Sequence, residues 1–488
     1  MPHLLTLIHC LTIFRSLNQV VKNDTTAIRE QNEALMANVD TILAQLKDTQ
    51  PAKSSAPRKR IEEWMNDIDA LTSYAETTYA ETVVDEPTVA DEPTVTDEPA
   101  VADDPTTDTP DQPLPDQPEN CNVFQPVYHE GDPGKGIGGY NLRSPNDRCF
   151  ALDYNSTGKL DHLVLFRPGT GIISILHRDP SGAFTPVFHS SFGIDAYDLL
   201  DLCDRALAFD YTSTGHLDHI LLYRRGHGIL YVLARTTTTN TYTTVFKSHS
   251  GIAGLDLASP LDRIFAFDYS RSGKQDHLAI YRPGTGTFWI LRNDMHTTST
   301  VGSSATFTPV YKSTTSPDGV GIGGYPLLRD HDRAFAFDWE GTGKMDHIVL
   351  YRGGGDGLFS VVGRDHETGG FSTVWTTAVG AGGGVGGYDL ADPRDVAFAY
   401  DWGHTGRRDH VVLYRPGAGT LGVMARDRNT DHGWKCVFGE GGGGVGGYDL
   451  LSDDDKVFAF DYEAAGRADC LVAYRANGTG TIWILKHV

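Results

Sequence analysis

Six times the chain returns to one pattern, and that recurrence limits what it can fold into more than any other feature. The copies read RCFALDYNSTGKLDHLVLFRPGTG from Arg148, RALAFDYTSTGHLDHILLYRRGHG from Arg205, RIFAFDYSRSGKQDHLAIYRPGTG from Arg263 and RAFAFDWEGTGKMDHIVLYRGGGDG from Arg333. DVAFAYDWGHTGRRDHVVLYRPGAG from Asp395 and KVFAFDYEAAGRADCLVAYRANGTG from Lys456 complete the series. The leading aspartates Asp153, Asp210, Asp268, Asp338, Asp401 and Asp461 fall at intervals of 57, 58, 70, 63 and 60 residues. Such a period is too long for helical solenoids and suits a four-stranded blade.

In the third copy the four strands read IFAFDY, HLAIYR, TFWILR and TFTPVY, separated by Gly-rich or polar turns. Phe265 and Phe267 alternate with Ile264 and Ala266, so this strand is apolar on both faces and needs cover on both, as in a stack of radial sheets. The sixth copy stops after its third strand, TIWILKHV, while VFQPVY just after Asn122 is a fourth strand without a blade. Joining the two closes a ring and removes its free edges. The expected fold of residues 121–488 is therefore all-β: a six-bladed β-propeller of four-stranded blades, closed by its N-terminal strand.

The rest of the chain has a different character. All 54 glycines follow residue 120, as the turns of such a ring require. Residues 76–120 hold fourteen Asp or Glu, eight Pro and no Lys or Arg, built on a six-residue repeat that starts at Asp85. Proline removes backbone donors and like charges repel, so 76–120 is expected to be a disordered acidic linker. It supplies 14 of the 23 net negative charges, and residues 121–488 carry only 8. Neither stretch offers a basic face for nucleic acid or an anionic membrane.

Before the linker, residues 4–14 are apolar but too short for a membrane span, with no basic n-region and no small-residue cleavage site. Leu7, Leu11, Phe14, Asn18, Val21, Thr25, Ile28, Asn32, Leu35, Val39, Ile42 and Leu46 follow steps of four and three, the seam of a coiled coil. Residues 1–50 are thus expected to be an α-helical segment that makes the protein a homo-oligomer through residues 7–46, and 51–75 a second short helix. An intramolecular pair with residues 59–75 and a targeting segment are the competing readings. The six cysteines, at 10, 121, 149, 203, 436 and 470, match no zinc or redox spacing, which points to free thiols and slightly favours the cytoplasm over secretion.

Strand direction alternates, so the loop between strands two and three (167–171 in the first copy) and the loop leading into the next blade share one face. That rim gathers Tyr140, Tyr197, Tyr325, Tyr388 and Tyr448, with Leu255 at the matching place of the third copy. It also gathers Arg167, Arg224, Arg282, Arg352, Arg415 and Arg475 and, just inside strand three, Tyr231, Trp289 and Trp483. Aromatic faces stack on sugar C–H faces and Arg donates to hydroxyls, so these are the candidate ligand-binding residues of a multivalent carbohydrate-binding, lectin-like propeller for glycans or glycoproteins. The competing role is structural, with Trp289 and Trp483 filling space between blades and the arginines bridging blades through aspartates. Ser174, Ser360 and Gly422 stand at the strand-three place elsewhere, so blades are not expected to be equally competent.

The unit F-D-Y-x-x-x-G-x-x-D-H-x-x-x-Y-R-P-G-x-G resembles the FG-GAP or VCBS repeat of integrin-type propellers and of fungal and bacterial propeller lectins, over all of 121–488. The resemblance implies a propeller fold and makes D-x-x-x-x-G-x-x-D similar to that family's calcium loop, which wants oxygen ligands at its first, third, fifth and ninth places. Calcium is thus a candidate cofactor, with the best sets at Asp153, Asn155 and Asp161 and at Asp338, Glu340 and Asp346. Most copies lack two of the usual carboxylates, and an Asp that caps a tight turn is the competing reading.

His162, His219, His277, His347 and His410 recur after the ninth-place Asp. A catalytic site breaks symmetry, and no HExxH, P-loop or Ser-His-Asp set stands out, so no enzyme is expected. A non-catalytic protein-interaction scaffold is the alternative function.

Overall fold

The computed structural model describes residues 124–129, 135–294, 307–313, 321–365, 367–377, 384–427, 433–478 and 480–488. The expected helices within 1–50 and 51–75, the acidic linker 76–120, and Cys10 and Cys121 lie outside them. The described residues form six four-stranded antiparallel sheets. Blade 1 is typical, with strands Arg148–Leu152, His162–Arg167, Ile172–Arg178 and Phe184–Ser190 pairing in sequence order from hub to periphery. Blades 2 to 5 repeat this meander.

Blade 6 is assembled from both ends of the ring. Its strands Asp455–Phe460, Cys470–Arg475 and Thr481–His487 are completed by Phe124–His129, which pairs Phe124 with His487 and His129 with Trp483. The expected closure is therefore what the structure shows. Phe124 is buried against Tyr400, Trp402 and Phe438, so it also ties blade 6 to blade 5.

Burial explains the strand order. Second strands such as His219–Arg224 and His277–Arg282 are buried on both faces up to their last residue, whereas outermost strands alternate toward solvent. The apolar core lies between blades. One cluster joins Leu163 and Leu165 of blade 1 to Val472 and Ile484 of blade 6, and another joins Val164 and Ile175 to Ile220 and Leu233 of blade 2. Every outermost pairing carries a register shift at the same place, and Pro126, Pro186 and Pro309 sit at three of these bulges. Proline donates no N–H, so it is tolerated at a sheet edge and disfavours further pairing there.

The lead-in loops are locked to the preceding blade. Gly169 and Gly171 of blade 1 donate their amides to the carbonyl of Leu199, which leads into blade 2, and Gly193 donates to the carbonyl of Gly171. Leu199 holds a left-handed φ of 53°, and Leu142, Leu257, Leu327, Leu390 and Leu450 do the same at the equivalent places. A buried leucine in that region is strained, so the surrounding contacts must hold it there. Gly193 is obligatory in this turn, because at its φ of 83° a Cβ would lie 2.1 Å from the carbonyl oxygen of Tyr197. The four described cysteines, Cys149, Cys203, Cys436 and Cys470, are free thiols. No helix among the described residues is long and apolar enough to cross a membrane.

Candidate functional site

The rim carries a repeated cluster at its base. In blade 1 the Tyr140 hydroxyl donates to Asp147 Oδ1 at 2.7 Å, and Arg167 donates Nε to Oδ1 at 2.7 Å and Nη2 to Oδ2 at 2.9 Å. The Ser144 amide adds a fourth bond to Oδ2 at 2.9 Å. The same set forms around Asp204, Asp332, Asp395 and Asp455, and around Asp262 without a tyrosine, because Leu255 stands there. All six aspartates are buried. A buried carboxylate with this many donors is well compensated, and removal of either charge would strand the other.

Burial, followed by the neighbouring carboxylate, holds the hydroxyls of Tyr140, Tyr197, Tyr325, Tyr388 and Tyr448 far above the ordinary tyrosine range. They are neutral donors at any physiological pH. Hydrogen bonds donated to the carboxylate raise Arg167, Arg282, Arg415 and Arg475. A second acceptor holds the fork from outside: Asn141 for Arg167, Asp198 for Arg224, Asp256 for Arg282, Asp356 for Arg352, Asp389 for Arg415 and Asp449 for Arg475. The rim tyrosines thus have buried rings and engaged hydroxyls. The Arg side chains stay 12–21% exposed, and in five of them, Arg352 apart, Nη1 takes no part in the cluster.

The strand-three residues sit beside this cluster, against the end of the outermost strand. Trp289 and Trp483 are partly exposed. Lys312 Nζ lies 4.0 Å from the Trp289 ring centroid, and the exposed His129 ring lies 5.1 Å from that of Trp483. Tyr231 is buried, and its hydroxyl bonds His249 Nε2 at 2.8 Å. Blades 1 and 4 place Ser174 against His189 and Ser360 against Thr376, and blade 5 pairs Gly422 with Gly439. Among the described residues no carboxylate bonds the imidazole of the Ser174 and His189 pair; Ser191 Oγ stands near Nε2 at 3.4 Å. The cluster is the same in nearly every blade, while these pockets differ from one blade to the next.

The opposite face carries the aspartate loops. Asp153 Oδ1 accepts from the Thr157 amide at 2.8 Å and Oδ2 from the Gly158 amide at 2.6 Å, and Asp338 does the same with Thr342 and Gly343. Burial pushes the carboxyls of Asp210, Asp268, Asp338 and Asp461 up. Asp161 and Asp346 accept from His162 and His347 at 2.6 and 2.7 Å. Arg271 pairs with Asp346 at 2.9 Å, Arg426 lies 3.4 Å from Glu340, and Arg235 lies 3.5 Å from Asn155. Both candidate calcium sets thus have their oxygens turned to protein donors. Among the described residues no three His, Cys, Asp or Glu side chains gather as a metal-ligand set. The recurring histidines each bond the preceding aspartate, an arrangement that also ties strand two to its loop. A cavity of about 130 Å³ opens on this face, lined among others by Asp153, Leu160, Gln275, Met345, Arg408 and Asp461, and Arg408 reaches across to Gln275 Oε1 at 2.5 Å.

No family model matches the chain, FG-GAP and VCBS repeats included. No curated protein matches it. Among solved structures it is similar to the SapL1 lectin in complex with alpha methyl fucoside, at 15% identity and a TM-score of 0.37 over 69% of this chain and 90% of that one. It is also similar to an auxiliary nutrient binding protein from Bacteroides thetaiotaomicron, at 12% identity and a TM-score of 0.38 over 74% of this chain and 72% of that one. The periplasmic gluconolactonase PpgL from Pseudomonas aeruginosa matches at 11% identity and a TM-score of 0.31, over 59% of this chain and 68% of that one. At such values none of them bears on the ligand or the activity of this chain.

Proposed function

We propose that the ring is a non-catalytic carbohydrate-binding propeller whose sugar contacts are the strand-three pockets of the rim. One observation carries this reading: Trp289 and Trp483 are partly exposed at equivalent places of two blades, each beside a hydrogen-bonding side chain, Lys312 or His129. An indole face next to a polar donor suits a sugar ring, which offers C–H groups on one side and hydroxyls at its edge. The rim arginines support the reading, since an unengaged Nη1 is available to a ligand hydroxyl, with the buried tyrosines fixing the guanidinium plane. Tyr231 and His249 form a third, more closed pocket. Several modest pockets on one ring gain avidity on a multivalent glycan, and more if residues 7–46 oligomerise the chain.

The test is a glycan array with the full chain, run once with calcium and once with chelator. Binding that falls in Trp289→Ala and Trp483→Ala supports the proposal. A blank array in both conditions rejects it, and a signal present only with calcium would bring the aspartate loops back as metal sites.

A second reading has its own observation. Phe192 is 92% exposed, with Leu200 at 59% and Leu202 at 53% in the same segment. Apolar exposure of this kind suits a polypeptide partner. A protein captured by the full chain, unaffected by free sugars and lost in Phe192→Ser, would favour the scaffold.

A further inference from the structure

The first residue after the buried rim aspartate is a cation in five of the six blades. Arg148, Arg205, Arg263, Arg333 and Lys456 begin the innermost strands or stand second in them, each directly opposite the aromatic residue that immediately precedes the rim arginine. Innermost strands touch their neighbours in a closed circle, so these residues are set in a ring around the axis at the rim-side mouth of the hub.

What holds them differs from what holds the rim arginines. Nη1 of Arg148 bonds the carbonyls of Pro145 and Asp147, that of Arg205 the carbonyls of Leu202 and Asp204, and that of Arg333 the carbonyls of Asp330 and Asp332. Nη1 of Arg263 and Nζ of Lys456 are held by carbonyls in the same way. None of the five forms an ion pair with a carboxylate among the described residues, because the six aspartates beside them are taken by the rim arginines. Arg225 joins them from blade 2, with a buried Nε that has no hydrogen-bond partner.

The charges also feel one another. Burial, then Arg225, Arg148 and Arg263, brings Arg205 down to about 10, and burial followed by Arg148 brings Lys456 down to about 8, with Asp454 pulling the other way. Burial, then Arg225, lowers Arg263 as well. The fold does not require the cation, since Val396 fills the place in blade 5 and pairs with Tyr414 in the same register.

From this juxtaposition we infer an anion site on the propeller axis, in which Arg148, Arg205, Arg263, Arg333 and Lys456, with Arg225, bind a compact multivalent oxyanion of the phosphate or sulfate class. Guanidinium groups fixed by one nitrogen present the remaining donors in a fork that fits tetrahedral oxyanions. A bound anion would replace mutual repulsion by charge-assisted hydrogen bonds. The site is central and single, distinct from the pockets at the blades.

The experiment is calorimetric titration of the full chain with inorganic pyrophosphate at constant ionic strength. One pyrophosphate per chain is expected. Arg205→Gln combined with Arg263→Gln should weaken it about a hundredfold or more, since two charge-assisted bonds are lost together. Val396→Arg, which completes the ring, should tighten it, and Lys159→Gln on the opposite face should leave it unchanged. Titrations with sulfate and with a sulfated disaccharide decide whether the natural oxyanion is a free phosphate or a sulfate ester. Absence of binding to both pyrophosphate and sulfate overturns the inference, as does binding that neither the double variant nor Val396→Arg alters. The glycan array reads the blade pockets instead, so either result stands without the other.

Discussion

Two regions lie side by side on the same rim and obey opposite rules. At the base of each lead-in loop, a buried aspartate takes an arginine fork in all six blades and a tyrosine hydroxyl in five. A few ångströms outward, the strand-three pocket holds serine, tyrosine, tryptophan, serine, glycine and tryptophan in turn. The ring needs the first region to join each lead-in loop to its blade, so every copy keeps it. It does not need the second, which is free to vary and therefore to specialise. Repetition marks the residues that build this propeller, and the break in repetition marks those we assign to sugar.

That contrast can be broken by experiment. Asp204→Ala leaves the Arg224 guanidinium and the Tyr197 hydroxyl without their buried acceptor, and should cost about 3–5 kcal/mol of stability in urea unfolding. A loss below about 1 kcal/mol would remove the cluster from the framework. Phe124→Ala empties the aromatic nest between blades 5 and 6 and should cost about 3–4 kcal/mol, seen as a lower denaturation midpoint. In the variable region the readouts exchange. Trp289→Ala or Trp483→Ala should each lower glycan binding by about 1 kcal/mol, roughly fivefold, while the melting temperature falls little, because these rings are partly exposed. If stability fell as far as in Asp204→Ala with binding unchanged, these tryptophans would belong to the framework. The smallest effect sharpens the comparison from the other side: Leu255→Tyr supplies the missing hydroxyl to Asp262 and should stabilise the ring by about 1 kcal/mol or less.

Most of the fold was legible because its signals are local and repeated. Apolar residues on both faces of IFAFDY required radial packing, and the orphan VFQPVY required closure; the structure has both. The rim cluster was legible only in part. The arginines were expected to reach a ligand or a neighbouring blade, yet they close on an aspartate of their own blade, twenty residues earlier. The signal was present: tyrosine, aspartate and arginine keep spacings of 7 and 20 while the blade period wanders from 57 to 70. A spacing that stays rigid inside a variable period reports a direct contact. The left-handed leucines left no such trace, since leucine carries no preference for that conformation and only the surrounding hydrogen bonds impose it. The axial cations were visible as the first letters of the aligned copies, but their convergence depends on the closed ring.

The strand that completes blade 6 also sets a timetable. Phe124–His129 leaves the ribosome first among the ring's strands, and its partner Thr481–His487 leaves last. Through most of synthesis the early strand has nothing to pair with, and blade 5, once made, presents an apolar face where Phe124 will lie. Closing so large a loop is slow, and an unpaired strand with an open face invites pairing between nascent chains on one message. The proline at position 126, set in the middle of that strand, has no N–H to offer and so makes it a poorer template for pairing with another chain while it waits.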